Sequence, residues 1–331
     1  MISIFLRRLC IAAALLAGAA FLVPAETQAG SCCGGGSAAS LMLPKFAKTM
    51  IDTSFDYEKY DGFWTKDGTY QKDQPGTDLS QYRLNIGIAQ RLTKRWQTSF
   101  SVPYVWNRNK YSGLSSQSDG PGDSTISVWY EAFDTEMCRL KAATLADLVP
   151  AATFGVTLLI PTGISPYDDV NSSFDITGRG FYRLDGNVLL DKTLYPWNAS
   201  LLMSYGTYIE RPVNREYGKF VQPYRKRLGD RASGSLALGY QHIIDSLEAR
   251  PIMTLTASLA ELWEGEGTIN GERDPSTGLR KTSVGGTISL STLDRRWVGK
   301  ASWNHALGAN GWGSNFPVSD IYTVGVSRAF E

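Results

Sequence analysis

From Arg95 to Trp106 the chain reads RWQTSFSVPYVW, and its side chains sort with a period of two: Trp96, Thr98, Phe100, Val102, Tyr104 and Trp106 on one side, Gln97, Ser99, Ser101, Pro103 and Val105 on the other. That period belongs to a β-strand. Its apolar face has Trp at both ends and smaller apolar residues between, which is how a strand crossing a bilayer places its interfacial aromatics. Similar sorting recurs near 48–59, 80–92, 96–107, 123–134, 151–160, 180–191, 197–210, 232–244, 251–263, 282–292, 297–307 and 320–330, about twelve strands, each long enough for the ~9–11 residues of a tilted crossing. In each pair of faces one is apolar and the other polar or small: Tyr82, Leu84, Ile86 and Ile88 oppose Arg83, Asn85, Gly87, Ala89 and Arg91; Leu201, Met203 and Tyr205 oppose Ser200 and Ser204; Val284, Ile288 and Leu290 oppose Ser283, Thr287, Ser289 and Ser291.

The connections carry a second regularity. Those near 60–79, 108–122, 161–179, 211–231, 264–281 and 308–319 are long and rich in Gly, Pro, Asp and Asn, whereas 93–95, 192–196, 245–250 and 293–296 are short. Sorting by parity puts long and short connections at opposite ends, as in an outer-membrane barrel with long loops outside and short periplasmic turns. A soluble sandwich has no physical reason for it. The expected fold is therefore an all-β, transmembrane, antiparallel up-and-down β-barrel of about 12 strands. One connection breaks the rule, 135–150, which is long where a turn is expected; it reads as a short periplasmic helix, or as two further strands that would make the barrel 14-stranded.

Composition alters this picture little. A formal net charge of +1 with 20% charged residues argues against a nucleic-acid partner. The mean hydropathy of −0.19 is that of a soluble protein, but a barrel dilutes every strand with lumen residues and produces the same value. The N-terminus sets the compartment. Arg7 and Arg8, the apolar run Leu9–Val23 and Thr27-Gln28-Ala29 read as a secretory signal peptide over 1–29; the alternative is lipoprotein processing at Cys32. Residues 30–47 then form a Gly- and Cys-containing periplasmic segment, read as a passive leader, and 48–331 the outer-membrane barrel. The last strand ends in Phe330, a C-terminal aromatic suited to the barrel-assembly machinery, although Glu331 follows it. Outer-membrane lipid and lipopolysaccharide are the remaining structural partners expected.

The chemistry on offer is an ionic lumen. Asp52, Asp56 and Glu58 share the face of Ser54 on the first strand, which in a closed barrel lies beside the second strand, with Arg83 and Arg91, and the last, with Arg328. Glu131, Arg183, Asp185, Asp191 and Glu210 extend the expected polar lining. Two readings remain open: a selectivity lining for a small solute, and ion pairs that fill a narrow barrel and hold strand register. No motif for a cofactor or a catalytic metal occurs. Of the two histidines, His305 shares a face with Trp303 at the long-loop rim, and Ser291 or Ser302 could approach it, which leaves a lipid-hydrolase reading beside that of an interfacial aromatic. Cys32 and Cys33, with Cys138, make an odd thiol set on the periplasmic side. They could form a disulfide, join a periplasmic partner through the N-terminal segment, or bind a soft metal such as Cu(I).

The runs GPGDSTISVWY (120–130), ATFGVTLLIPTG (152–163) and DITGRGFYRLDGNVLL (175–190) resemble the meta-pathway phenol-degradation proteins, a group of bacterial outer-membrane barrels also labelled simply as transporters. The resemblance implies passage of small hydrophobic or aromatic compounds; no enzymatic activity is expected, since neither His242 nor His305 sits in a nucleophile-base pattern. A structural or partner-binding barrel, for example one sheathing a periplasmic or electron-transfer protein, is the alternative.

Overall fold

The computed structural model describes residues 41–331 except 46, 66, 112–113, 134–137, 140–143, 171–174, 246, 248–249, 309–310 and 314–315. Twelve antiparallel strands close into a barrel: β1 (Thr49–Trp64), β2 (Asp78–Arg91), β3 (Trp96–Tyr111), β4 (Ser124–Phe133), β5 (Ala151–Ile160), β6 (Arg183–Leu194), β7 (Trp197–Tyr208), β8 (Arg231–Ile243), β9 (Ile252–Glu264), β10 (Leu279–Ser291), β11 (Trp297–Ala306) and β12 (Phe316–Phe330). Each pairs with its neighbours in sequence, and β1 seals the wall against β12 from Thr49↔Phe330 to Tyr60↔Ser319. Closure leaves no free sheet edge, which is what allows strands to cross a bilayer.

The outer surface confirms the solvent that the alternation demands. Ile51, Ile86, Ile88, Phe100, Val156, Leu238, Leu259, Ile288 and Val324 all stand exposed around the wall. An apolar belt of that extent would be untenable in water and is the lipid-facing surface of a membrane barrel. Aromatic pairs mark its edges. Trp96–Tyr130 (4.8 Å between centroids) and Trp197–Tyr240 (5.0 Å) lie at the short-turn end, Tyr57–Tyr82 (5.1 Å) and Tyr104–Trp106 (4.8 Å) toward the long loops.

Local chemistry explains both ends. In the short turns Thr93 Oγ1 accepts from the backbone N–H of Trp96 (3.1 Å) and Thr292 Oγ1 from that of Trp297 (3.2 Å), closing each turn with a hydroxyl. Beyond the long-loop end two hairpins form a separate small sheet, Arg211–Glu216 with Lys219–Arg227 and Gly267–Ile269 with Glu272–Asp274. Their tips, Tyr217-Gly218 (φ 45° and 71°) and Asn270-Gly271 (φ 52° and 85°), take two successive left-handed residues, as two-residue hairpin turns require. Among its described residues the connection over 135–150 adds no membrane strand: Cys138–Arg139 pairs briefly with Thr193 and Leu194, and Leu145–Leu148 forms one 3-10 turn. The backbone of Cys138 is thus placed at the short-turn end; Cys32 and Cys33 lie outside the described residues.

Sidedness follows from loop length. An epitope inserted at Gly76, Gly218 or Gly278 should be labelled on intact cells, and one at Lys94 or Arg295 only after the outer membrane is permeabilised. Surface labelling at Lys94 would invert the barrel.

Candidate functional site: the barrel interior

The interior has three levels. At the short-turn mouth, the described residues 41–45, 47 and 48 fold back into the barrel instead of trailing from it. Leu43 and Ala47 are buried and pack with Met50, Ala89 and Ala329. A methyl group on Gly87 would come within 2.9 Å of Leu41 Cδ2, so the bare backbone there admits the segment. Arg91 is its clamp. Its guanidinium donates to the carbonyls of Ala47 (3.1 Å), Pro44 (3.2 Å) and Leu43 (3.4 Å) and to Glu131 Oε1 (2.8 Å), while the Leu43 N–H donates to Gln97 Oε1 (2.8 Å). Lys45 Nζ stands 4.0 Å from Glu131, and Asp191 is near enough to act on its charge. Arg91, Glu131 and Asp191 thus face inward but gather around this segment. The described part of this segment sits as a plug in the barrel mouth, where Leu43 and Ala47 find burial; residues 30–40, read from the sequence as a passive leader, lie outside the described residues.

Above the plug lies a cavity of about 490 Å3. Leu41, Met42, Met50 and Val298 give it an apolar floor; its walls carry Leu202, Ser54, Asn85, Ser101, Thr125, Ser204 and Ser233 together with charged groups. On one wall Asp56 and Glu58 hold Arg83 (3.4 and 2.7 Å), and Asp56 also accepts from Asn85 (2.9 Å) and Thr323 (2.7 Å). Asp52 accepts from Lys300 Nζ at 3.1 Å. Trp129 lies over Gly155, where a Cβ would meet its ring, and its indole N–H is buried without a hydrogen-bond partner, an arrangement that costs free energy in this closed form.

The third level is a knot built from the motifs that carried the family resemblance. Asp123 accepts from the backbone N–H groups of Arg179 (2.8 Å) and Gly163 (3.2 Å); Thr162 Oγ1 donates to the Gly122 carbonyl and Thr177 Oγ1 to that of Pro121, both at 2.6 Å. Gly163 and Gly178 meet backbone to backbone, where a Cβ on either would collide. The knot aims Arg179 across the lumen at Glu264 (2.5 and 2.9 Å) and Tyr208 (2.7 Å). Arg183 pairs with Asp185 (2.7 Å) and reaches the same Tyr208 hydroxyl (3.0 Å). Outside the membrane, Tyr167 meets Phe181 edge to face and lies beneath Arg211, and burial pushes its phenol above the ordinary range.

Two expected lining residues are placed elsewhere. Glu210 follows the end of β7 and pairs with Arg225 in the outer hairpin (2.5 Å), because the strand has left the barrel by that point. Arg328 shares the parity of Tyr322, Val324 and Val326 and so stands on the outer face, over Trp297 (4.8 Å) and Phe330 (4.7 Å). Lys300 of β11 supplies the base beside β1 instead. His305 shares Asp320 with Trp303: its Nδ1 is 3.0 Å from Oδ1, and the Trp303 indole donates to the same oxygen at 2.8 Å. Ser302 is of opposite parity to both rings, and Ser291 sits at the far end of β10, so neither hydroxyl can serve His305. Sequence reasoning missed Arg179, Arg231, Glu264 and Lys300. Lys300 alternates with Ser302 on the inner face of β11 and was legible; the others sit at strand ends or in a loop, where parity has no force.

Among solved structures, an outer membrane channel from Pseudomonas putida F1 is similar over 86% of this chain and 96% of its own, with 16% identity and a TM-score of 0.63. The β-domain of the Bordetella autotransporter BrkA is similar over 86% and 100%, with 12% identity and a TM-score of 0.48. The toluene transporter TodX of Pseudomonas putida follows at 9% identity and 0.32, over 86% and 90%. No protein-family model and no curated protein sequence matches the chain. The first likeness is one of fold, and it places this barrel in the class of outer-membrane β-barrels.

Proposed function

We propose that the protein is an outer-membrane channel for small solutes, of the meta-pathway phenol-degradation type, exported by a signal peptide over residues 1–29 and closed toward the periplasm by residues 41–48. The observation that carries this reading is the cavity, walled by side chains of the barrel and floored by a segment that belongs to no strand. A barrel serving only as a scaffold gains nothing from a hollow centre, since every unfilled volume forfeits packing. The cavity lies within the 300–1,000 Å3 typical of small-molecule sites. Its apolar floor suits solutes with a hydrophobic or aromatic body. Displacing the plug would expose Arg91, Gln97 and Glu131 to water and open the periplasmic mouth.

Conductance tests this. In planar bilayers the variant lacking residues 30–47 should show larger and longer openings than the intact mature protein. If both are folded and neither conducts, the chain is a structural or partner-binding barrel and the channel reading is wrong.

A further inference from the structure

We propose that the outer end of the cavity is a binding site for a small organic monocarboxylate, its carboxylate held by Arg231 and its apolar body resting on Leu202, which lines the same cavity four residues below the partner of Arg231 on β7. The inference names the solute class and so rests on the channel reading.

Three guanidinium groups meet at this level, and they are not equivalently engaged. Arg179 is bound to Glu264 by two short bonds and Arg183 to Asp185 by one. Arg231 lies 3.9 Å from Glu264, beyond hydrogen-bond length, and that carboxylate already faces the fork of Arg179. Both other arginines act on its charge. Asp123, the remaining acid nearby, is turned to two backbone N–H groups of the knot. A guanidinium that lines a cavity and lacks a close carboxylate offers its planar fork to one from solution.

The surroundings select a monoanion with an apolar part. Ser233 lies two residues on from Arg231 along β8 and lines the cavity with it, and opposite it in register Ser204 is spent on Asn187 (2.7 Å). One guanidinium and one adjacent hydroxyl match the two oxygens of a single carboxylate. A second negative group would meet Asp185 or, on the far wall, Asp56, both of which line the cavity. Below Arg231, Leu202 offers apolar surface, which a bare inorganic anion would leave uncovered.

Benzoate and its neutral isostere benzamide test the site on the full mature barrel in detergent, by calorimetry, with heat-modifiable gel mobility as the check of folding. Benzoate should bind saturably and benzamide about tenfold more weakly or less, the effect of one charge-assisted contact. Arg231→Gln should lower benzoate to the benzamide level, and Arg231→Lys should recover part of the loss. Equal affinity for the two probes, or unchanged benzoate binding in folded Arg231→Gln, overturns the proposal. Absent benzoate binding by a barrel that conducts once residues 30–47 are removed overturns the carboxylate site and leaves the channel standing; binding without conductance does the reverse.

Discussion

Val102→Arg should destabilise the barrel by about 2–4 kcal/mol, while Ser101→Arg, one residue away, should cost far less. Val102 pairs with Ile86 of β2 on the outer face, between Phe100 and Tyr104, where both neighbours are exposed. A guanidinium there must enter hydrocarbon or drag water and headgroups toward it. Ser101 lines the cavity, so an arginine at that position projects into a polar space shared with Asp52 and Asp56. Refolding titrations into lipid vesicles measure the difference directly. Equal losses for the two substitutions would mean that the faces are wrongly assigned.

The second large effect belongs to Arg91. It is a part-buried cation that joins three carbonyls of the plug to Glu131, and Arg91→Met keeps much of its volume while removing every one of those bonds. Breaking a buried pair by deleting one partner costs about 3–5 kcal/mol, because the other charge is left without compensation. Here Gln97 (3.2 Å) and Lys45 (4.0 Å) still face Glu131 and soften the loss. The cost should fall on the closed state of the mouth and not on the barrel, whose ladders do not involve the guanidinium. Arg91→Met should therefore retain barrel mobility on gels yet expose residues 41–48 to protease added from the periplasmic side. Unchanged protection would show that apolar packing of Leu43 and Ala47 alone holds the segment.

Arg328 shows how a face is misassigned despite a sound rule. Its parity with Tyr322 and Val324 was readable, and the expectation of a base facing the acids of the first strand overrode it; the rim of a membrane barrel welcomes an outward arginine because its head reaches the interface while its stem covers aromatic surface. Trp129 is the converse case. A large aromatic on the inner face, flanked by Ser127 and Glu131, is accommodated because Gly155 opposes it, a pairing that strand alternation cannot show.

What the chain determined by itself was the barrel. Alternation of period two, repeated at intervals and joined by connections sorted by length, reports a local property: each strand must satisfy lipid on one side, and each turn must close on few residues. Those requirements act residue by residue and are written in order along the sequence. The interior was decided by tertiary structure. The plug, the Asp123 knot and the three arginines bring together residues separated by 54, 56 and 85 positions, as in Leu43 with Gln97, Asp123 with Arg179, and Arg179 with Glu264. Such partners are chosen by closure and strand stagger, which set who faces whom across the lumen. No periodicity records that choice, because an inward charge has the same pattern whether it meets an ion pair, a plug or a solute.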